Sequence, residues 1–510
     1  MNLLETILAT LTPTILLWLM FGTIMGIIIG ALPGLGPTFA IALFLPLTFT
    51  MDVVTALIFM TAIYSSVVYG GAICSILLNI PGHPGAVATT FDGYPLARRG
   101  EAGRALGAAA TGSMIGGVVG FMLLVTLGPR LAFVALGFSP ADYFWLVLAG
   151  LSMVALTSKE EFMKGLILSF AGMASSIVGF DMIHGTRRFT MGIVWLSDGF
   201  NFVALSVGLF AIAQVFIMFE DCKNVSGETF AVSKVSKGFT DVFRYWPTTL
   251  RSCAIGSFIG IIPGIGISAA SFFSYMFGQR ASKDPDNFGK GKGDIRGIIC
   301  SETATNAAVG GAMIPTLALG IPGGAGAAMY LVALTIHGVS PGMGFFQSPF
   351  IPIMLTGMIL AQFAFWACGM LGGNLFAQIT RVKQCYLIPI TIVLSITGTL
   401  AIRGSIVDMW VGLFFGIVGY VILRQKWPAA CFILGALLGP MLEQNFFRAL
   451  RISDGSLRIF VGSGSSIFLM CTCIFIVVYG IYTGFFKKPK PKAVAAGEAK
   501  SEVKKEEESK

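Results

Sequence analysis

The sequence predicts an all-α polytopic membrane protein built as two inverted repeats, each with a re-entrant hairpin and an interrupted helix. Three observations predict it. With 55% hydrophobic and 12% charged residues over 510 positions, and a mean hydropathy of +0.82, the chain has too few polar residues for a soluble fold. Apolar runs recur along most of it, each about 20 residues long and able to cross about 30 Å of hydrocarbon at about 1.5 Å per residue. Finally, the Gly/Pro clusters that interrupt those runs occur twice in the same order.

The duplication organises the chain. GALPGLGPTFA (30–40) returns as GIIPGIGISAA (260–270), with Pro33, Gly34 and Gly36 matching Pro263, Gly264 and Gly266 at an offset of 230. YGGAICSILLNIPGHPGA (69–86) returns as VGGAMIPTLALGIPGGAGA (309–327), where the GG pair keeps an offset of 240 and IPG one of 241. One residue is therefore inserted between GG and IPG in the second half. Residues 1–230 form the first repeat, 231–486 the second, and 487–510 a charged, disordered cytoplasmic tail.

Each element follows in order. After PGIG only eleven apolar residues, Ile267 to Phe277, precede the polar loop GQRASKDPDNFGKGKGDIR. That is about 16 Å of helix, too short to cross, so 246–278 returns to its own face as a hairpin with PGIG at the tip. By the duplication, ALPGLGP is the tip of a first hairpin at about 14–50. Crossings are predicted at 54–93, 105–127, 141–157, 164–180 and 199–219, then at 297–337, 351–372, 385–400, 406–423, 428–443 and 462–486, eleven in all. The loop from Glu220 to Arg251 joins the halves, with KNVSGETFAVSKVSKG (223–238) as a linker. MNLLETILATLTP lacks the basic start of a cleavable signal peptide and is expected to be retained.

Charge sets the orientation. On this layout one face receives only Arg130, Arg187, Arg188, Arg403, Arg448, Arg451 and Arg458, and the remaining 27 of 34 basic residues fall on the other. The richer face is cytoplasmic by the positive-inside rule, which puts the N-terminus and first hairpin outside and the C-terminus and second hairpin inside. The net charge of +9 is thus an orientation signal and not a nucleic-acid surface. Arg98, Arg99 and Arg104 belong to that signal, although they could also attract anions. Arg187, Arg188, Arg448 and Arg451 run against it and could meet an acidic periplasmic partner. The nine cysteines are scattered, without CxxC spacing, and read as small buried hydrophobes.

The four interruptions carry the predicted chemistry. Non-helical backbone at membrane depth is tolerated only where protein or a wet cavity satisfies it, and paired interrupted segments mark a secondary transporter's binding site. A helix starting after a break offers free N–H groups and a positive dipole end to a carboxylate; one ending there offers carbonyls to a small cation. The expected substrate-binding set is Pro33, Gly34, Leu35 and Gly36, then Asn79, Pro81, Gly82 and His83, with Pro263, Gly264, Gly266, Pro322, Gly323 and Gly324 from the second half. The alternative is that these glycines and prolines serve close helix packing, as GG pairs such as Gly70-Gly71 do. His83 could bind substrate, titrate, or cap local backbone.

Cation coupling is expected at Ser65, Ser66, Glu302, Thr305 and Asn306, which precede the breaks. Ser and Thr in membrane helices also bond their own backbone. Glu302 is costly at membrane depth unless it lines a wet path or pairs; its other reading is an interfacial residue paired with Arg296. No HExxH, GxSxG or Asp pair falls within the apolar spans, so no catalytic or metal residue is assigned and an enzyme is not expected. No cofactor is expected beyond a coupling cation. A passive anion channel or another kind of polytopic transporter remains the alternative to alternating access.

GALPGLGPTFAIALFLPLTF, SSVVYGGAICSILLNIPGHPGA, FDGYPLARRGEAGRALG and ETATNAAVGGAMIPTLALGIPG closely resemble the large permease subunit of the bacterial tripartite tricarboxylate transporters, the TctA-like family, over about residues 15–450. One departure is His83, where the family more often has a small hydroxyl residue. The resemblance implies a bacterial inner-membrane symporter for carboxylates such as citrate, coupled to sodium or protons. It also implies two partners, a small membrane subunit and a periplasmic substrate-binding protein.

Overall fold

The computed structural model describes residues 5–6, 10–157, 162–181, 185–220, 235–289, 291–379 and 386–486. The predicted tail at 487–510 and most of the predicted linker lie outside the described residues.

The chain folds as an all-α polytopic bundle. Helix α1 (Pro13–Gly30) starts at Thr12, whose hydroxyl accepts from the Ile15 N–H, with Pro13 in the first turn where its missing donor is not needed. After the ALPGLGP tip, α2 (Pro37–Phe44) again begins on proline. Helix α3 (Val53–Leu78) is capped by Asp52, which accepts from the Thr55 N–H at 3.1 Å. It is apolar all round, and therefore buried on every side. Helix α4 (Val87–Leu96) leads through a π turn into α5 (Ala102–Ala135). Next come α6 (Pro140–Thr157), α7 (Phe162–Ser176), the antiparallel strands β1 (Gly179–Asp181) and β2 (Thr186–Arg188), and α8 (Phe202–Glu220).

The second half follows the same plan. Helices α9 (Val235–Arg244), α10 (Trp246–Ile261) and α11 (Gly266–Arg280) precede α12 (Ile295–Leu319) and α13 (Ala325–Ile336). The chain ends in α14 (Ile351–Ile379), α15 (Leu387–Arg403), α16 (Ile406–Arg424), α17 (Ala429–Ile452) and α18 (Gly464–Phe486). Among the described residues, eight helical stretches are long and apolar enough to cross a membrane by length and composition. Helix α12 is not one of them, because Ser301, Glu302, Thr303, Thr305 and Asn306 lower its hydropathy, yet it is nearly as long as α3 and equally buried.

Packing repeats between the halves. Helix α1 lies on α3 and α10 on α12, each pair brought to backbone contact by small residues. A Cβ on Gly30 would lie 2.9 Å from Gly70 Cα, and one on Gly260 would lie 2.8 Å from Ala308 Cα. Helix α5 joins the halves by packing along α12, where Gly116 and Gly120 meet the Thr303 and Ala307 carbonyls.

Three local features differ from the sequence reading. Helices α5 and α17 run to Ala135 and Ile452, past the predicted ends at 127 and 443, because hydropathy marks the bilayer edge and not the last helical hydrogen bond. The predicted linker ends in α9, which packs on α5 through a close approach of Gly238 to the Arg104 carbonyl and through Arg104 Nε to Asp241 Oδ2 at 2.5 Å. The short β1–β2 hairpin stands beside the helices, tied to α17 by Arg188, which donates to both Glu443 oxygens at 2.6 and 3.1 Å.

Candidate functional site

Helix α3 ends at Leu78 and the next residue, Asn79, is left-handed at φ 58°; α12 ends at Leu319 and Gly320 is left-handed at φ 73°. These are equivalent positions at the offset of 241, and asparagine and glycine are the residues that tolerate this conformation. The chain then doubles back along the helix it has just left. His83 Nε2 lies 3.0 Å from the Val68 carbonyl oxygen, 15 residues earlier, a separation of about 22 Å on a continuous helix. A Cβ on Gly82 would lie 2.4 Å from Gly71 Cα, and one on Gly323 would lie 2.8 Å from Ala312 Cα. Both contacts span eleven residues, so the extra residue of the second half lies in the helix and leaves the size of the return loop unchanged.

The hairpin tips meet these loops. Gly34 and Gly264, equivalent in sequence, have φ of 77° and 83°. A Cβ on Gly36, the residue before α2, would lie 3.6 Å from His83 Cβ. In the second half the Gly264 N–H donates to the Gly323 carbonyl at 3.1 Å, and a Cβ on Gly324 would lie 3.6 Å from Gly266 Cα. The starts of α11 and α13 therefore adjoin, as do the start of α2 and the loop leading to α4. Contacts also cross between halves: a Cβ on Gly85 would lie 3.2 Å from Thr305 Cγ2, and one on Gly326 2.6 Å from the Tyr64 ring. The four interruptions are thus gathered around α3 and α12.

Not every predicted residue joins them. Asn79 and Ile80 are exposed at the far turn of the return loop, about 16 Å along α3 from Val68 by helical rise. Leu35 contributes backbone at the tip, but its side chain is fully buried in the core. Gly82, Gly323 and Pro322 are buried, Gly36, Pro33, Pro81, Pro263, Gly266 and Gly324 half-buried, and Gly34 exposed.

His83 caps backbone with both ring nitrogens. The Gly85 N–H donates to Nδ1 at 3.1 Å, which places the ring proton on Nε2, where it donates to the Val68 carbonyl. Thr305 donates to its own helix at Ser301 O (2.5 Å). Ser65 accepts from Gln362 Nε2 at 3.0 Å. By contrast, Ser66 Oγ and both amide atoms of Asn306 are buried without a protein partner among the described residues. Ser66 and Asn306 are equivalent at the offset of 240, and each such atom costs about 1–3 kcal/mol unless something completes it.

Glu302 is fully buried. Arg296 instead pairs with Asp294, at 2.6 Å, so the interfacial pairing is not made. The Glu302 carboxylate accepts from Thr89 Oγ1 on α4 and from Ser113 Oγ on α5 (3.4 Å). Sequence reasoning missed Thr89, Ser113 and Gln362. Only Gln362 left a signal, as an amide in the middle of the apolar run of α14; hydroxyl residues are too common in membrane helices to stand out. Among the described residues no group of three or more His, Cys, Asp or Glu side chains could hold a metal.

A separate cavity of about 560 Å³ opens between α7, α8 and α17, lined by Ser175, Phe180, Ser197, Asp198, Arg403 and Pro440 among others, and none of the predicted site residues lines it.

The model of the family described as the tripartite tricarboxylate transporter TctA family matches residues 16–434. An Agrobacterium vitis protein described as an uncharacterized 52.8 kDa protein in the TAR-I ttuC' 3' region is 34% identical over 478 residues, covering 92% of this chain and 94% of the relative. A second from the same organism, an uncharacterized protein in the TAR-II ttuC' 3' region, is 32% identical over 213 residues, 40% of this chain and 85% of the relative. No solved structure matches. A match across most of the chain, including all four interruptions, places it in the TctA family of tripartite tricarboxylate transporters.

Proposed function

We propose that the chain is the permease subunit of a binding-protein-dependent secondary transporter that takes up carboxylates, citrate or a related organic acid, with a cation by alternating access. The observation that carries this reading is the gathering of four helix interruptions around α3 and α12. Carboxylate oxygens are held by the N–H groups at the starts of α2, α4, α11 and α13, and the coupling cation, sodium or proton, is taken up among Ser65, Ser66, Glu302, Thr305 and Asn306. Unpartnered Ser66 and Asn306 at equivalent positions support that second role. Family membership supports the carboxylate class, the small membrane subunit and the periplasmic binding protein. The distribution of basic residues supports inverted halves in the bacterial inner membrane, with the N-terminus periplasmic and the C-terminus cytoplasmic.

The test is uptake of labelled citrate and other di- and tricarboxylates into right-side-out membrane vesicles, with and without an imposed cation gradient and the binding protein. Saturable accumulation that needs both is expected. Non-saturating flux that only equilibrates, with no dependence on a gradient, is the result of a passive anion channel and would overturn the reading.

A further inference from the structure

We propose that the coupling ion is a proton and that Glu302 carries it, through a chain of hydroxyls that accommodates both of its protonation states. This deepens the symport reading and rests on it. Glu302 is fully buried, and among the described residues no cation pairs with it. Its neighbours are hydroxyl groups. Thr89 Oγ1 bonds the carboxylate and also lies 2.8 Å from Ser301 Oγ. Ser301 Oγ in turn lies 3.1 Å from the Gly297 carbonyl, and Ser113 Oγ reaches the other carboxylate oxygen at 3.4 Å.

A hydroxyl both donates and accepts, so this chain can run either way. With Glu302 charged, Ser301 donates to Thr89 and Thr89 to the carboxylate. With Glu302 protonated, the acid donates to Thr89, Thr89 to Ser301, and Ser301 to the Gly297 carbonyl, leaving no donor unpaired. A site built for a metal ion needs several acceptors converging on one point; a line of reversible hydroxyls ending on a carbonyl suits a proton. The proton binds a carboxylate oxygen from water on one side of the membrane and leaves to water on the other.

The line also couples protonation to the transport site. Thr89 stands on α4, the helix that follows the first return loop, and Glu302 on α12, the helix that precedes the second. A neutral Glu302 lets α4 and α12 close, whereas a charged one in that contact is under-solvated and favours their separation. The titratable and charged groups on the surrounding elements do not neutralise it. The Tyr69 hydroxyl on α3 makes no hydrogen bond to it. Asp92 on α4 is bonded to Tyr275 of α11. Arg104 on α5 is paired with Glu101 and Asp241, and the Arg251 side chain on α10 is engaged by Cys300.

The test uses right-side-out vesicles holding the full chain with its small subunit, with binding protein and labelled citrate added. Acid outside is expected to drive accumulation without sodium. E302Q is expected to lose that accumulation, and T89V to shift its pH dependence. A second readout needs no transport: the infrared carbonyl stretch of a protonated acid, present in the wild type and missing in E302Q. Accumulation driven by a sodium gradient with the proton gradient collapsed overturns the proton assignment and leaves symport standing. An E302Q protein that still accumulates citrate on a proton gradient, or that keeps the infrared band, overturns the role of Glu302. Flux that no gradient drives overturns the symport reading itself.

Discussion

Gly82→Ala puts the return loop to its severest test. The added Cβ would sit 2.4 Å from Gly71 Cα, 2.7 Å from the Gly30 carbonyl oxygen and 3.1 Å from the Gly71 carbonyl oxygen. All three are backbone atoms, so no rotamer change relieves the clash; α1, α3 or the loop must move by about 1 Å to reach ordinary carbon contact distances. Overpacking of this kind costs about 1–3 kcal/mol. The shift also strains the two His83 hydrogen bonds to Val68 and Gly85, each contributing about 1 kcal/mol. The expected destabilisation is therefore about 3–5 kcal/mol, with loss of uptake. Gly323→Ala, whose Cβ would lie 2.8 Å from Ala312 Cα and 2.9 Å from the Gly260 carbonyl oxygen, is the matched change in the second half. Gly344→Ala, with no atom within 4 Å of its Cβ, is the control and should be neutral. Thermal unfolding of purified protein and vesicle uptake are measured on all three. Wild-type stability and uptake in G82A would show that the loop does not retreat along α3, and the site geometry would fall with it.

Three further outcomes follow from single contacts. A Cβ on Gly71 would lie 2.3 Å from His83 Cδ2, so G71A should destabilise the wild type by about 2–3 kcal/mol and much less in an H83A background; additive effects in the double-mutant cycle would contradict the ring's placement. Asp92 accepts from Tyr275 Oη (2.7 Å), the Gly289 N–H (3.1 Å) and the Asp294 N–H (3.0 Å). D92A should cost about 3 kcal/mol or more and speed amide exchange at Gly289 and Asp294, whereas Y275F removes one donor and costs about 1 kcal/mol; equal exchange in both variants would be the wrong result. Loss of the Arg188–Glu443 contact in E443Q, between partly exposed side chains, should cost less than about 1 kcal/mol and vanish in high salt. Chymotryptic cleavage at Phe180 of the hairpin reports it, and a large, salt-independent effect would argue against the pairing.

The interruptions were legible because glycine and proline are the only residues with a distinctive backbone cost, and their order survives in both halves. The return loops were not. ALGIPGG and LLNIPGH read as simple breaks, since nothing in a string of residues says that residue 83 comes back beside residue 68. The inserted residue between GG and IPG was visible as a change of offset, but its meaning needed the matching contacts of Gly82 and Gly323. Asn79 was placed at the site because it stands next to IPG, whereas its left-handed backbone only starts the retreat. Thr89 and Ser113 were invisible for the opposite reason: their helices look ordinary, and only the approach of α4 and α5 to α12 makes their hydroxyls neighbours of Glu302. Helix α9 hid in a polar linker although Val235, Phe239, Val242 and Phe243 recur at amphipathic helical spacing, because the pattern runs for only 10 residues and Gly238 and Asp241 share its buried face.

The retreat also explains how one helix can be both scaffold and site. A break in mid-span would leave α3 as two short pieces, each with unpaired backbone and little surface to pack. By running 26 residues before turning back, α3 keeps its hydrogen bonds and its contacts with α1 and α14, and the loop carries irregular backbone back along the helix as far as Val68. Two identical half-sites of this kind would suit a ligand with matching ends. The halves depart from each other in the loops and tips: His83 fills the space over Gly71 where the second half has Gly324, and Gly36 is extended at φ −81° where Gly266 is left-handed at φ 73°. Glu302, whose counterpart at the offset of 240 is Ala62, and the pairs Asn79–Gly320 and Pro84–Ala325 depart as well, so the halves repeat in their turns and not in their side chains.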